Sequence, residues 1–167
     1  MKSDPSSSTG FRSGQNYQLM GEVVRDPLQE REKMVEPVVC KNCQAVFRKG
    51  RWQWLTPPNN AHQGQCPACK RIQQKMPAGY VTIEGTFALE HRDELLQLIH
   101  HLENHEKAEH PLKRIMGIEQ RDDGLLVTTT DIHLAHGIGE ALSHAYKGEL
   151  ESNFNEADYL LRVHWRR

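Results

Sequence analysis

The sequence contains no apolar run that approaches the roughly 18 residues a membrane-spanning helix requires. Its first ten residues, MKSDPSSSTG, contain no apolar stretch that could serve as the hydrophobic region of a secretory signal peptide. We therefore expect no membrane insertion and a cytoplasmic location. In a reducing compartment the four cysteines are not expected to form disulfides, so another use for them must be sought.

Acidic residues are absent from one part of the chain. The 167 residues carry a formal net charge of −1, yet positions 40–78 contain seven basic residues and no acidic residue. Positions 79–167, in contrast, contain nine basic and sixteen acidic residues. This partition indicates two different units, and the basic segment favours a polyanionic partner such as RNA.

The residue pattern predicts three segments and an α+β fold. Residues 1–36 have too few apolar side chains to offset the entropy lost on folding, so we expect a flexible tail. Residues 37–78 are predicted to form a small zinc ribbon. Residues 79–167 predict the order β-α-β-β-α-β-β, which is a ferredoxin-like (split βαβ) antiparallel sheet domain with an extra C-terminal hairpin. Two helices on one face of such a sheet would leave the other face free for a protein partner.

Glycines mark several close approaches and turns in this arrangement. Lys49-Gly50 predicts the turn of a hairpin in the basic segment, and Asp123-Gly124 predicts a second hairpin. Gly137 and Gly139 lie inside a helical pattern that does not follow a strand, which makes a phosphate-binding loop a poor interpretation. We expect these two glycines to permit close packing of the helix on the sheet.

The four cysteines form two Cys-x-x-Cys pairs, Cys40/Cys43 and Cys66/Cys69. This spacing directs two thiolates at one ion, and two such pairs complete a tetrahedral sulfur site. We therefore predict one structural Zn²⁺, whose four sulfur ligands leave no position for a reactive water. A redox-active pair and unrelated buried cysteines are the alternative interpretations.

Cations alternate with aromatic residues beside the first cysteine pair, a pattern that suits phosphate contacts combined with base stacking. The predicted nucleic-acid-binding residues are Arg48, Lys49, Arg51, Trp52, Trp54, Lys70 and Arg71. Alternatively, the basic residues balance the charge of the thiolates, and the hairpin has only a solvated face.

The sequence contains no identifiable nucleophile–base pair, so we predict no catalytic residue and no enzymatic activity. His101 and His105 share a helix face, and with Glu109 they could form a second metal site. A metallohydrolase built on that cluster is a distant alternative. In the last strand pattern, Arg162 and His164 alternate with apolar residues on either a solvated edge or part of the anion-binding surface.

Several blocks of sequence resemble a known family. The resemblance lies in the two Cys-x-x-Cys pairs and in the segments PAGYVTIEG, AEHPLKRIMGIE, GLLVTTTDIHLAHGIGEALSHAYKGEL and LLRVHWRR. The chain resembles a family of small bacterial zinc-ribbon proteins. That family is similar to the N-terminal region of the nonsense-mediated decay protein three family, an adaptor for export of the large ribosomal subunit. The resemblance implies a zinc-ribbon protein associated with ribosomes or RNA. The larger family has more Cys-x-x-Cys pairs and further domains, so its export role is not carried over.

These observations lead to one main expectation and one principal alternative. We expect a non-catalytic adaptor that binds a ribosome or RNA through the basic ribbon, while the acidic domain holds a protein partner. The alternative is a stress-related regulatory module that contacts proteins only, in which the zinc is purely structural.

Overall fold

The computed structural model describes residues 26–28 and 34–167, so most of the predicted tail lies outside the described residues. The ribbon contains strands β1 (Val38–Cys40), β2 (Val46–Arg48), β3 (Arg51–Gln53) and β4 (His62–Gly64), then helix α1 (Pro67–Gln74). The sheet domain contains β5 (Gly79–Glu84), α2 (Thr86–Glu90), α3 (Arg92–Glu109), β6 (Ile115–Arg121), β7 (Gly124–Thr129), α4 (Ile132–Tyr146), β8 (Glu149–Asn155) and β9 (Leu160–Arg166). The predicted α+β class, with a four-cysteine ribbon followed by a sheet domain, is confirmed.

The ribbon is a four-stranded sheet in the order β3-β2-β1-β4. Its β2–β3 hairpin turns at Lys49-Gly50, as predicted, and both turn residues have positive φ, 54° and 77°. The pairing of β1 with β4 is parallel, and the sequence pattern did not predict β4. His62-Gln63-Gly64 does not alternate apolar and polar residues, so the sequence gives no sign that this segment forms a strand.

The sheet domain has the strand order β6-β7-β5-β9-β8. The extra hairpin is present, but it inserts β9 beside β5 as a parallel neighbour and leaves β8 at the edge. The sheet is therefore mixed rather than wholly antiparallel. Burial explains the insertion, because β9 has the alternating buried residues Leu161, Val163 and Trp165, whereas no residue of β8 is fully buried. The more apolar strand takes the central position.

Helix α4 packs on the sheet and α3 packs on α4. Leu134, Ile138 and Leu142 of α4 are buried, and Leu95 and Ile99 of α3 join the same core. Residues of β5 alternate between buried and half-buried, so one face of the sheet meets the helices and the other stays more accessible. None of the described helices has an apolar stretch long enough to cross a bilayer.

Gly139 permits the close approach of α4 to the sheet. A Cβ atom at this position would lie 2.6 Å from Cγ1 of Val163, whereas a Cβ at Gly137 would meet nothing nearer than Cδ2 of Leu102 at 3.8 Å. We expect Gly139→Ala to destabilise the domain by about 1–3 kcal/mol through overpacking. Gly137→Ala, the matched control, should stabilise it by about 0.5–1 kcal/mol because alanine favours the helix. Urea denaturation of both variants measures the difference, and equal effects would contradict this packing role.

Candidate metal centre

The four cysteines converge in the ribbon, and their sulfur atoms all lie within 4.8 Å of one another. The Sγ atoms of Cys43 and Cys66 are 3.7 Å apart. Zn–S bonds of about 2.3 Å in a tetrahedron place sulfurs roughly 3.8 Å apart, so this separation suits a shared ion. All four are free cysteines.

The first pair is positioned by a tight turn at the end of β1. Gln44 N donates to Cys40 O at 2.8 Å, and Cys40 N donates to Ala45 O at 2.8 Å. These bonds fold residues 40–45 back on themselves, with Gln44 in the left-handed region at φ 67°. The turn thereby directs Cys40 and Cys43 toward the same point.

The second pair lies at the start of helix α1. Cys66 is the N-cap of α1, Pro67 occupies the first turn, and Cys69 N donates to the sulfur of Cys66 at 3.4 Å. Proline suits this position because its missing N–H would have no helical partner. The partial positive charge of a helix N-terminus favours the thiolate form, so α1 supports two ligands.

Arg114 contributes from the sheet domain to this ribbon site. Its Nη1 donates to Sγ of Cys69 at 3.3 Å, and its Nη2 donates to Sγ of Cys43 at 3.3 Å and of Cys66 at 3.2 Å. The residue is buried, with an exposed fraction of 8%. The sequence did not predict this role for Arg114, because a single arginine 45 positions beyond Cys69 gives no pattern that links it to the cysteines.

The hydrogen bond between Cys43 and Cys66 shifts the pKa values of these two thiols in opposite directions. A hydrogen bond with Cys66 lowers the pKa of Cys43 to about 4, against the opposing effect of burial. The same hydrogen bond, followed by burial, raises the pKa of Cys66. Burial also raises the pKa of Cys69. Since a metal ion binds thiolates, loading this site must displace protons from Cys66 and Cys69.

This arrangement can hold a metal ion in a structural role. Four sulfur donors around one point would fill a tetrahedral coordination sphere and leave no place for a substrate. Convergence of all four cysteines argues against four unrelated buried thiols. It also differs from a single redox pair, because both pairs face the same position.

The predicted nucleic-acid-binding cations occupy different environments. Arg48, Lys49 and Arg51 are exposed on the β2–β3 hairpin, and Lys70 is half-buried on α1. Arg48 and Arg51 are direct cross-strand partners. The amides of Lys49 and Gly50 each donate to the Glu36 carboxylate at 2.9 Å, which fixes the turn.

Arg71 and Trp52, two of the predicted nucleic-acid-binding residues, are buried in the structure. Burial corrects the interpretation of both as contact residues. Arg71 is only 3% exposed, and its Nη2 forms an ion pair with Oδ1 of Asp26 at 2.6 Å. Its guanidinium also lies over the ring of Tyr159, so the side chain has a structural role. Trp52 is 9% exposed and packs against Phe47, with the ring centroids 5.4 Å apart. Neither residue is available to phosphates or bases, because tertiary packing buries both.

Trp54, in contrast, is 38% exposed. Its Nε1 donates to the carbonyl oxygen of Lys107 at 2.6 Å, which fixes the indole beside α3. Arg51, Trp54 and Lys70 line a common cleft of about 1140 Å³ between the hairpin and the C-terminal end of α3. The cleft therefore combines an accessible aromatic ring with three cations, since Lys113 also lines it, and its wall includes the acidic residues Glu36, Glu109 and Asp131.

The histidine cluster does not form a second metal group among the described residues, where the four cysteines are the one set of suitable donors. His101 and His105 are both exposed on α3. The strand that contains His164 lies between β5 and β8, so it is not the sheet edge that was one expectation. Nε2 of His164 lies 2.8 Å from Oε2 of Glu84, and Nη2 of Arg166 lies 3.6 Å from the same oxygen. Glu84 therefore places a negative charge beside His164 and Arg166 on this face of β9.

Comparison with known proteins gives no matching family model, no matching curated protein and no matching solved structure.

Proposed function

We propose that this protein is a zinc-containing adaptor that binds RNA, in the context of a ribosome, through the β2–β3 hairpin of its ribbon. The cysteines supply the metal ligands, and zinc is the metal that a closed tetrahedral site of four thiolates suits. The proposed contact residues are Arg48, Lys49 and Arg51, with Lys70 and Trp54 at the adjacent cleft. Arg71 and Trp52 are buried, so the proposal does not include them.

One observation carries the proposal. Arg48 and Arg51 lie directly opposite each other on adjacent strands, with Lys49 in the turn between them. Like charges in opposite positions destabilise a sheet. Within the described part of the chain, no carboxylate forms an ion pair with these three side chains. A polyanion that accepts all three cations would relieve this repulsion, and phosphates along an RNA strand have that chemistry.

The same features support a binding role without catalysis. A zinc ion with four sulfur ligands has no open position at which water could be activated. Trp54 offers an indole to an unpaired base, and stacking tolerates any base. The resemblance to ribosome-associated proteins supports ribosomal RNA as the class of partner, and a cytoplasmic location is part of the proposal.

The test is the salt dependence of RNA binding. Replacing Arg48, Lys49 and Arg51 by alanine should remove up to three phosphate contacts. The plot of log affinity against log salt concentration should then become shallower by roughly 2–3 units, at about 0.7–0.9 per phosphate. Filter binding of the full chain to single-stranded ribosomal RNA fragments over a salt series measures this slope.

The matched control replaces three exposed cations of the acidic domain that lie outside the cleft, Arg92, Arg121 and Lys147. This triple variant removes the same formal charge, and we expect it to keep nearly the wild-type slope. Equal slopes for the two triple variants, both with intact metal content, would show that the hairpin makes no specific phosphate contacts. That result would favour the alternative of a module that contacts proteins only.

A further inference from the structure

The sheet domain fixes the position of Arg114. Arg114 N donates to Oγ1 of Thr130 at 2.9 Å, and Thr130 N donates to Arg114 O at 2.9 Å. Its Nε donates to Pro111 O at 2.8 Å. Residues next to β6 and β7 therefore hold both the backbone of Arg114 and the inner part of its side chain, while the end of the guanidinium extends to the cysteines.

The Nη1 and Nη2 atoms of Arg114 donate hydrogen bonds to the ribbon. Three of the four cysteine sulfurs accept hydrogen bonds from Nη1 or Nη2, at 3.2–3.3 Å. The fourth sulfur, of Cys40, accepts from Cys66 N at 3.3 Å. Each sulfur thus has at least one N–H donor, and Arg114 is the donor that comes from the other unit.

Charge balance explains why the metal centre and Arg114 each favour the contact between the sulfurs and the guanidinium. Four thiolates around a divalent ion leave a doubly negative centre, which is unfavourable where the ligands are buried. A buried arginine is equally unfavourable without a counter-charge. Among the described residues Arg114 forms no ion pair with a carboxylate, so the sulfurs are its counter-charge.

We infer that Arg114 belongs to the outer shell of the metal centre, and that metal binding and docking of the ribbon on the sheet domain are coupled through it. The inference rests on the metal site of the proposed function and is independent of RNA binding. The coupling is reciprocal: the docked sheet domain raises metal affinity, and the bound metal stabilises the docked state. Arg114 is a positioning residue, since it acts through the sulfurs.

Arg71 supplies a matched control. It is the other buried arginine between the ribbon and the sheet domain, where it contacts Asp26, Met76 O and the ring of Tyr159. Among the described residues, none of its hydrogen bonds goes to a cysteine sulfur. Arg71→Met should therefore lower stability without changing the electronic properties of the metal centre, whereas Arg114→Met should change both.

The experiment begins with metal analysis of the wild-type full chain, because absence of metal there would refute the metal site itself. Zn²⁺ affinity is then measured by chelator competition for wild type, Arg114→Met, Arg114→Lys and Arg71→Met. We expect Arg114→Met to bind Zn²⁺ about 10–100-fold more weakly. Arg114→Lys, which keeps the charge with fewer fixed donors, should be intermediate. Arg71→Met, which leaves the hydrogen bonds to the sulfurs in place, should lose clearly less affinity than Arg114→Met.

Two further readouts separate this role from a general loss of packing. In the Co²⁺-loaded proteins, loss of the hydrogen bonds should shift the sulfur-to-cobalt charge-transfer band to lower energy in Arg114→Met but not in Arg71→Met. In the wild type, chelation should accelerate amide hydrogen exchange at Arg114 and Thr130, which needs no variant to fold. Wild-type affinity and an unshifted band in Arg114→Met would overturn the inference. Unchanged hydrogen exchange at the amides of Arg114 and Thr130, after removal of the metal has been verified, would also overturn it.

Discussion

Cys66→Ser should abolish stoichiometric metal binding and unfold the ribbon, while the sheet domain stays folded. The buried core of the ribbon contains seven residues, and three of them are the cysteines Cys40, Cys66 and Cys69. So small a core cannot fold without its metal, since structural zinc contributes about 10–16 kcal/mol to folding in zinc-finger peptides. The sheet domain has a separate and larger core that contains no cysteine.

The three tryptophans report on the two units separately. Trp52 and Trp54 lie in the ribbon, and Trp165 is fully buried in the sheet domain. In NMR spectra of Cys66→Ser, the indole signals of the first two should collapse to unfolded positions, while that of Trp165 stays dispersed. Gln74→Ser, an exposed substitution at the end of the same helix, serves as the control. Wild-type metal occupancy in Cys66→Ser would contradict the prediction.

Trp52→Ala and Trp54→Ala should have opposite principal effects. Trp52 is buried against the cysteine core, so its loss should destabilise the ribbon by about 3–5 kcal/mol. Trp54 is partly exposed at the cleft, so its loss should affect stability much less. It should instead weaken RNA binding by about 1–3 kcal/mol, with little change in the salt slope.

Chemical denaturation followed by circular dichroism gives the stability of each variant, and RNA titration is restricted to protein with full metal content. The two variants control for each other, because both remove an indole from the same hairpin. If Trp52→Ala left stability unchanged, the structural assignment of Trp52 would be wrong. If Trp54→Ala bound RNA like the wild type, stacking at the cleft would be refuted.

The features that the sequence predicts well are those set by local chemistry. Cys-x-x-Cys spacing needs only the reach of two thiolates from one turn, and the Lys49-Gly50 turn needs only positive φ. The alternating apolar residues of β9 also predicted a strand. These signals lie within a few residues, so a single sequence was sufficient to find them.

The features that the sequence did not predict depend on partners far away in the chain. Arg71 was predicted as a phosphate ligand because its neighbours are basic, yet Asp26, from another part of the chain, buries it. Arg114 lies in an acidic segment and meets sulfurs in the other unit. The same limit applies to β9, whose parallel pairing with β5 places it inside the sheet.

Sedimentation of the zinc-loaded wild-type chain with purified ribosomes over a series of salt concentrations tests the central claim most directly. We expect co-sedimentation at low salt and a steep loss of binding as the salt concentration rises. We also expect no binding at low salt when zinc has been removed from the chain before it is mixed with the ribosomes. The steep loss follows from displacement of counterions by the hairpin cations. Absence of co-sedimentation at low salt, or binding that is indifferent to both salt and zinc, would contradict the central claim.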